Sequence, residues 1–174
     1  MKTFAISVLT LLLTSFAILA LDTAKGFETA SVNIGYLRQE DFGERVAVKD
    51  IAAYIKCLQA ICGEFFAQSA TPEDLSIVVA IKPTGRSRVW FVSSRTPAAN
   101  EKRDQLRTKL EAVELPKVTG GPVAFAIESR IAGGSGKDAK EAGAPPTPKE
   151  WHDALSKQKE PLLFDGLLPL VFPE

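Results

Sequence analysis

Leu75-Ser-Ile-Val-Val-Ala-Ile-Lys-Pro-Thr-Gly-Arg-Ser-Arg-Val-Trp-Phe-Val-Ser-Ser94 decides the architecture of this chain. Leu75 to Ile81 is apolar and rich in β-branched residues, which predicts a well-buried strand. Lys82-Pro83-Thr84-Gly85-Arg86-Ser87 is turn chemistry: proline presets one backbone angle and glycine permits another. Arg88 to Ser94 reads as a second strand, so the stretch predicts a hairpin with a medium loop.

Helical periodicity flanks the hairpin on both sides. Upstream, Ile51, Ile55, Leu58, Cys62 and Phe65 recur at helical spacing within Lys49 to Phe66, widened by Tyr54 and Ile61, and so line one face. Downstream, Thr96-Pro97 resembles a helix start. Leu106, Leu110 and Val113 form the stripe of a helix reaching about Glu114. Pro116 and Gly120-Gly121 then turn the chain into a third strand, Val123 to Ile131. On it Val123, Phe125, Ile127 and Ile131 share one face, and Ala124, Ala126, Glu128 and Arg130 the other. The order helix, strand, strand, helix, strand predicts an α+β fold with a three-stranded sheet and helices packed on one face. Ahead of this core, Leu21 to Phe27 reads as a loose terminus. The alternation of Val32, Ile34 and Tyr36 suggests a short strand, and Glu40, Asp41, Gly43 and Glu44 a polar turn.

The ends of the chain divide it further. Lys2 followed by an apolar run to Leu21, with Ala20 as the small residue, reads as a secretory signal over 1–20 cut before Leu21. An uncleaved anchor is the alternative, because ~20 apolar residues also span a bilayer. The expected location is the periplasm or the medium. The α+β domain then covers 21–132 and a Gly/Ala/Pro/Lys linker 133–147. Thr147-Pro148-Lys149-Glu150 has the pattern of a capping box for a short helix over about 148–159. Pro161 to Pro173 is apolar. One layer of helices leaves the other sheet face bare, with Val78, Ala80, Ala124 and Ala126 on it. The tail is therefore expected to fold back over that face or to dock into a partner.

Lys plus Arg equals Asp plus Glu at 21 each, and loss of Lys2 leaves −1. That balance argues against bulk attraction to nucleic acid. Cys57 and Cys62 both fall within the predicted helix. Five residues along a helix put their Cα atoms about 8–9 Å apart, beyond the ~7 Å reach of a disulfide. They are expected not to bridge each other within one chain.

The string Leu75 to Ser94, the helix stop at Leu115-Pro116 and the strand start at Gly121-Pro122-Val123 resemble the C-terminal domain of the TonB and TolA periplasmic proteins. The resemblance covers about half of the chain after the signal. It implies a domain that binds protein partners by lending a strand edge. The long spacer of that family has no counterpart between Ala20 and the domain, so energy transduction is not implied.

Catalytic chemistry finds little footing. His152 is the only histidine and lies in the tail helix beside Trp151 and Asp153. Gly133-Gly134-Ser135-Gly136-Lys137 fails the spacing of a phosphate loop, and Asp138 stands where a hydroxyl should follow. Neither a catalytic residue, a cofactor nor a metal is expected. The expected activity is non-catalytic protein binding, by strand addition at the edge of Val123 to Ile131, with a structural or assembly role in a cell-envelope complex as the alternative. The expected contact residues are Arg86, Arg88, Trp90, Ala124, Ala126, Glu128 and Arg130. Lys82, Arg86, Arg88 and Arg95 form an acid-free basic lip suited to an acidic protein or, weakly, to an anionic membrane surface. Trp90 faces either the bare side, with Val92, or the core in the reverse register.

Overall fold

The computed structural model describes residues 26–93, 101–134, 145–158, 160 and 162–174. The signal segment, Thr96-Pro97, Arg95 and the centre of the linker lie outside the described residues. The elements in order are β1 (Phe27–Asn33), α1 (Gln39–Arg45), α2 (Val48–Phe66), β2 (Glu73–Lys82), β3 (Arg86–Ser93), α3 (Glu101–Glu111), β4 (Val123–Ile131), α4 (Lys149–Leu155) and α5 (Phe164–Val171). The class is mixed α and β, as expected, but the sheet has four strands in the order β1-β4-β2-β3, and each neighbouring pair is antiparallel. It follows that β1 runs parallel to β2 with β4 between them, and β3 parallel to β4 with β2 between them. Two split β-α-β units interleave.

The fourth strand corrects the three-strand expectation. Val32, Ile34 and Tyr36 alternate, yet the strand is Phe27–Asn33, and its register against β4 shifts between Thr29 and Ser31. Phe27 pairs with Ile131 and Val32 with Ile127, so both face the helices although they stand an odd five positions apart. A bulge at Ala30 breaks the period of two that would have announced the strand. Gly26 admits the chain here, because a Cβ at that position would overlap the Phe66 carbonyl oxygen at the end of α2.

β4 was expected at an edge. It lies inside the sheet, hydrogen-bonded to β1 on one side and β2 on the other. Its backbone has no free side for a guest strand, and a proline at Ala126 would break an inner ladder rather than blunt an edge. The segment read as a polar turn is α1, held by burial of Phe42 and by the Arg38–Asp41 ion pair at 2.8 Å.

The helix side is a continuous core. Leu58, Cys62, Leu106 and Leu110 pack on Leu75, Ile77, Val79, Ile81, Phe125 and Ile127. α2 is continuous through Cys57 and Cys62, and both are free, Cys57 exposed and Cys62 buried. Burial pushes the Cys62 thiol up to about 12.

The opposite side is not bare. Val78, Ala80, Trp90, Ala124 and Ala126 are covered by Trp151, Phe164, Leu167, Leu168, Val171 and Phe172. The tail folds back, and its last part is a helix rather than an irregular run. Phe164, Leu167, Leu168 and Val171 recur at helical spacing and are the residues that α5 buries. The capping box is not formed. Pro148 occupies the cap position of α4 with no side-chain hydrogen bond, and the Thr147 hydroxyl donates instead to the Pro145 carbonyl oxygen at 3.3 Å.

Candidate partner-binding surfaces

Two surfaces bear on binding: the open edge of the sheet and the face beneath the tail. Their geometry follows from alternation along each strand.

The edges differ. On β3 the Val89 N–H already donates to a Glu111 carboxylate oxygen at 2.8 Å, from the end of α3. Arg103 and Arg107 of the same helix lie over the Phe91 ring. Side chains from α3 thus occupy that edge. β1 pairs only with β4. The Ala132 N–H donates to the Gly26 carbonyl at 2.9 Å, so the Gly26 carbonyl points toward β4. Successive residues of a strand point their peptide groups to opposite sides, which turns those of Phe27 and Thr29 outward. The Thr29 side chain lies on the helix side, where its hydroxyl accepts from Gln59 Nε2 at 3.1 Å.

On the other surface, alternation puts Lys82, Arg86, Arg88 and Trp90 on the tail side, because Lys82 pairs with Arg86, Ala80 with Arg88 and Val78 with Trp90. Of the two registers left open for Trp90, the structure has the one with Val92, facing away from the helices. It is nevertheless 3% exposed, because the Trp151 ring meets it edge-on at 5.3 Å and the Phe172 ring at 6.4 Å. Ala124 and Ala126 are fully buried beneath the same layer. Of the residues expected on β4, only Arg130 is exposed; Glu128 is half-buried and accepts from Asn33 Nδ2 at 3.4 Å.

The basic lip holds the chain's own C-terminal segment. Lys82 Nζ donates to Glu174 Oε1 at 2.8 Å and sits 4.7 Å from the centroid of the Phe172 ring. Arg86 lies 5.1 Å from that ring and donates to the Pro173 carbonyl at 3.4 Å, while Arg88 covers Trp90 at 5.5 Å. A second clasp closes the other end. Arg45 donates to both oxygens of Asp165, at 2.6 and 2.8 Å, and to the Pro122 carbonyl at 2.8 Å. Gly121 makes room for it: a Cβ there would stand 2.8 Å from the guanidinium carbon, and its φ of 150° suits glycine. Tyr36 adds a third hold, donating its hydroxyl to the Pro146 carbonyl and packing against Trp151 and Phe164.

The hydrogen bonds from Arg45 keep the Asp165 carboxyl below the usual carboxylate range, and Lys82 does the same to Glu174, by hydrogen bond first and charge second. Burial raises the Tyr36 phenol, with the nearby Glu128 charge adding to it. The indole N–H groups of Trp90 and Trp151 are both buried and have no hydrogen-bond partner among the described residues.

Sequence reasoning named Arg86, Arg88 and Trp90 but missed Arg45, Lys82 as a seat, Tyr36, Asp165 and Glu174. A signal was present: Asp165 and Glu174 are the only acids in Pro161 to Glu174, and Lys82 to Arg95 contains none. Among the described residues, no group of three or more His, Cys, Asp or Glu side chains could hold a metal ion, and no helix is long and apolar enough to cross a membrane. No family model matches the chain, no curated protein matches its sequence, and no solved structure matches its fold.

Proposed function

We propose that this chain is an exported, non-catalytic protein-binding module of the periplasm or medium that takes an extended partner peptide as an added strand. The edge that serves is β1. The observation that carries the reading is the asymmetry of the two edges: α3 occupies β3, whereas Phe27 and Thr29 on β1 turn their peptide groups away from the sheet. An outward N–H and C=O pair every second residue is the template a guest strand uses. The resemblance of Leu75 to Ser94 to the TonB and TolA domain supports the same mode, and the balanced charge supports a protein partner over nucleic acid.

The test is Thr29→Pro. Proline is tolerated on an edge strand where its missing N–H faces outward, so the ladder to β4 survives. Peptides selected on the wild-type chain from an extended-peptide library are expected to lose about tenfold or more in affinity for this variant, at a nearly unchanged melting temperature. Undiminished binding contradicts strand addition at β1.

A structural or assembly role in a cell-envelope complex is the second reading. It is favoured by the outer face of α5 and its entry, where Leu163 is 85% and Leu170 51% exposed. A neighbouring protein or, more weakly, an anionic membrane surface would cover them.

A further inference from the structure

The tail-side face of the sheet has the build of a docking groove. Its floor is shallow, because Ala80 pairs with Ala124 and Val78 with Ala126 across adjacent strands, so a helix can come close to the backbone. A cation stands at each end. Arg45 is held by the body through the Pro122 carbonyl, independently of the tail. Lys82 is 7% exposed, and a lysine so placed demands a carboxylate. The two buried indole N–H groups of Trp90 and Trp151 ask for acceptors that the tail does not give them.

The occupant seen in the structure states what the groove takes. α5 is eight residues long with Gly166 and Pro169 inside it, too short and too broken to persist alone. The tail carries one acid, Asp165, in the first turn of α5 where Arg45 needs it, and another, Glu174, three residues past the end of α5 where Lys82 needs it. Its covalent connection through 135–144 keeps it at high local concentration, which holds even a weak occupant in place.

We propose that this face is the docking site for a partner-protein segment made of a short apolar helix with an acidic side chain in its first turn and a second acid just past its C-terminal end, and that α5 with the residues after it is an intramolecular stand-in which the partner displaces. A partner that also offers carbonyl or side-chain oxygens to the two indoles gains contacts that α5 lacks. This site is separate from the β1 edge, so either can fail without the other.

The test uses the full chain carrying Asp165→Asn and Glu174→Gln, which weakens the stand-in and leaves the groove intact. The probes are two labelled peptides followed by fluorescence polarisation: residues 162–174 of this chain, and an unrelated peptide whose short apolar helix carries an acid in its first turn and is followed, three residues past its end, by a second acid. Both are expected to bind the variant about tenfold more tightly than the wild-type chain, and to lose about tenfold when their acids become amides. Equal binding to the two chains, indifference to the acids, or failure of the unrelated peptide would overturn the proposal. If the variant does not fold, the wild-type chain is cut at a protease site placed within 135–144. Exchange of the severed tail for labelled peptide is then expected, and a tail that never exchanges in excess peptide would overturn the proposal equally.

Discussion

The two faces of the sheet are both buried, but by different means. On the helix side, α2 and α3 bring long, periodic apolar stripes onto Leu75, Ile77, Val79 and Phe125, and polar contacts, the Arg103–Glu73 ion pair and the Glu111 carboxylate on the Val89 N–H, lie at the α3 margin. On the tail side, two short helices lie over alanines, fastened at their margins by Arg45–Asp165, Lys82–Glu174 and Tyr36–Pro146, and they leave two indole N–H groups unpaired. Hydrocarbon packing of the first kind fixes a fold. Two helices of seven and eight residues over a small-residue floor, fastened at their margins, rest on less packing than the 19-residue α2 and the 11-residue α3. The comparison teaches that burial alone does not make a surface core: Trp90 on β3 is as buried as the helix-side residues, yet what covers it is the tail layer of α4 and α5.

Matched truncations break or sharpen this contrast. Leu58→Ala, in the helix-side core, should cost about 2–5 kcal/mol of global stability by creating a cavity. Leu168→Ala removes an equally buried leucine from α5. Its global cost is capped at the free energy that closes the tail, because a destabilised tail opens locally instead. Chemical denaturation of both variants should show the larger shift for Leu58→Ala, with the indole emission of Leu168→Ala changing before the main transition. Equal costs in one transition would merge the two faces.

Gly121→Ala should have a smaller effect. It places a side chain against the Arg45 guanidinium in a backbone conformation that suits glycine, at about 1–3 kcal/mol. The expected outcome is a loosened Asp165 clasp, read as a red shift of the tryptophan emission, with helix content unchanged. Both tryptophans of the chain lie in this interface, so emission reports on it alone.

Acid should have the mildest effect. Asp165 and Glu174 are both held below the usual carboxylate value by the cations that donate to them. A depressed carboxylate stabilises the closed tail above its unfolded value, about pH 4, and that contribution fades as pH falls through the lowered value. Both side chains are at least half exposed, so solvent screens much of the gain. Emission should drift between about pH 4 and pH 2, ahead of the loss of far-ultraviolet signal. Salt should diminish the drift, because screening weakens both ion pairs and brings the two carboxyls back toward their unfolded values.

Local pattern made part of this legible. The hairpin, the stripes of α2 and α3 and the two faces of Val123 to Ile131 all follow from side-chain periods, and the alternatives for Trp90 were set by alternation alone. What stayed hidden is non-local or interrupted in its period. A bulge at Ala30 cost β1 its alternation, so the short strand expected from Val32, Ile34 and Tyr36 was misplaced and not counted into the sheet, and β4 looked like an edge. α5 does carry a helical period in Phe164, Leu167, Leu168 and Val171, but Gly166 and Pro169 interrupt it and the flanking Leu162, Leu163 and Leu170 blur it. Lys82 and Arg86 were visible as part of a basic lip, but they are met by Phe172, Pro173 and Glu174 of the same chain, a pairing that only the folded backbone brings together.

Native-state hydrogen exchange tests the central claim most directly, because it measures the opening of each layer separately. The amides of α4 and α5 should open with a free energy well below that of α2, β2 and β4, and at lower denaturant. If the tail exchanges only in the same global opening that releases Leu58 and Phe125, the tail is core and the groove beneath it is not a site.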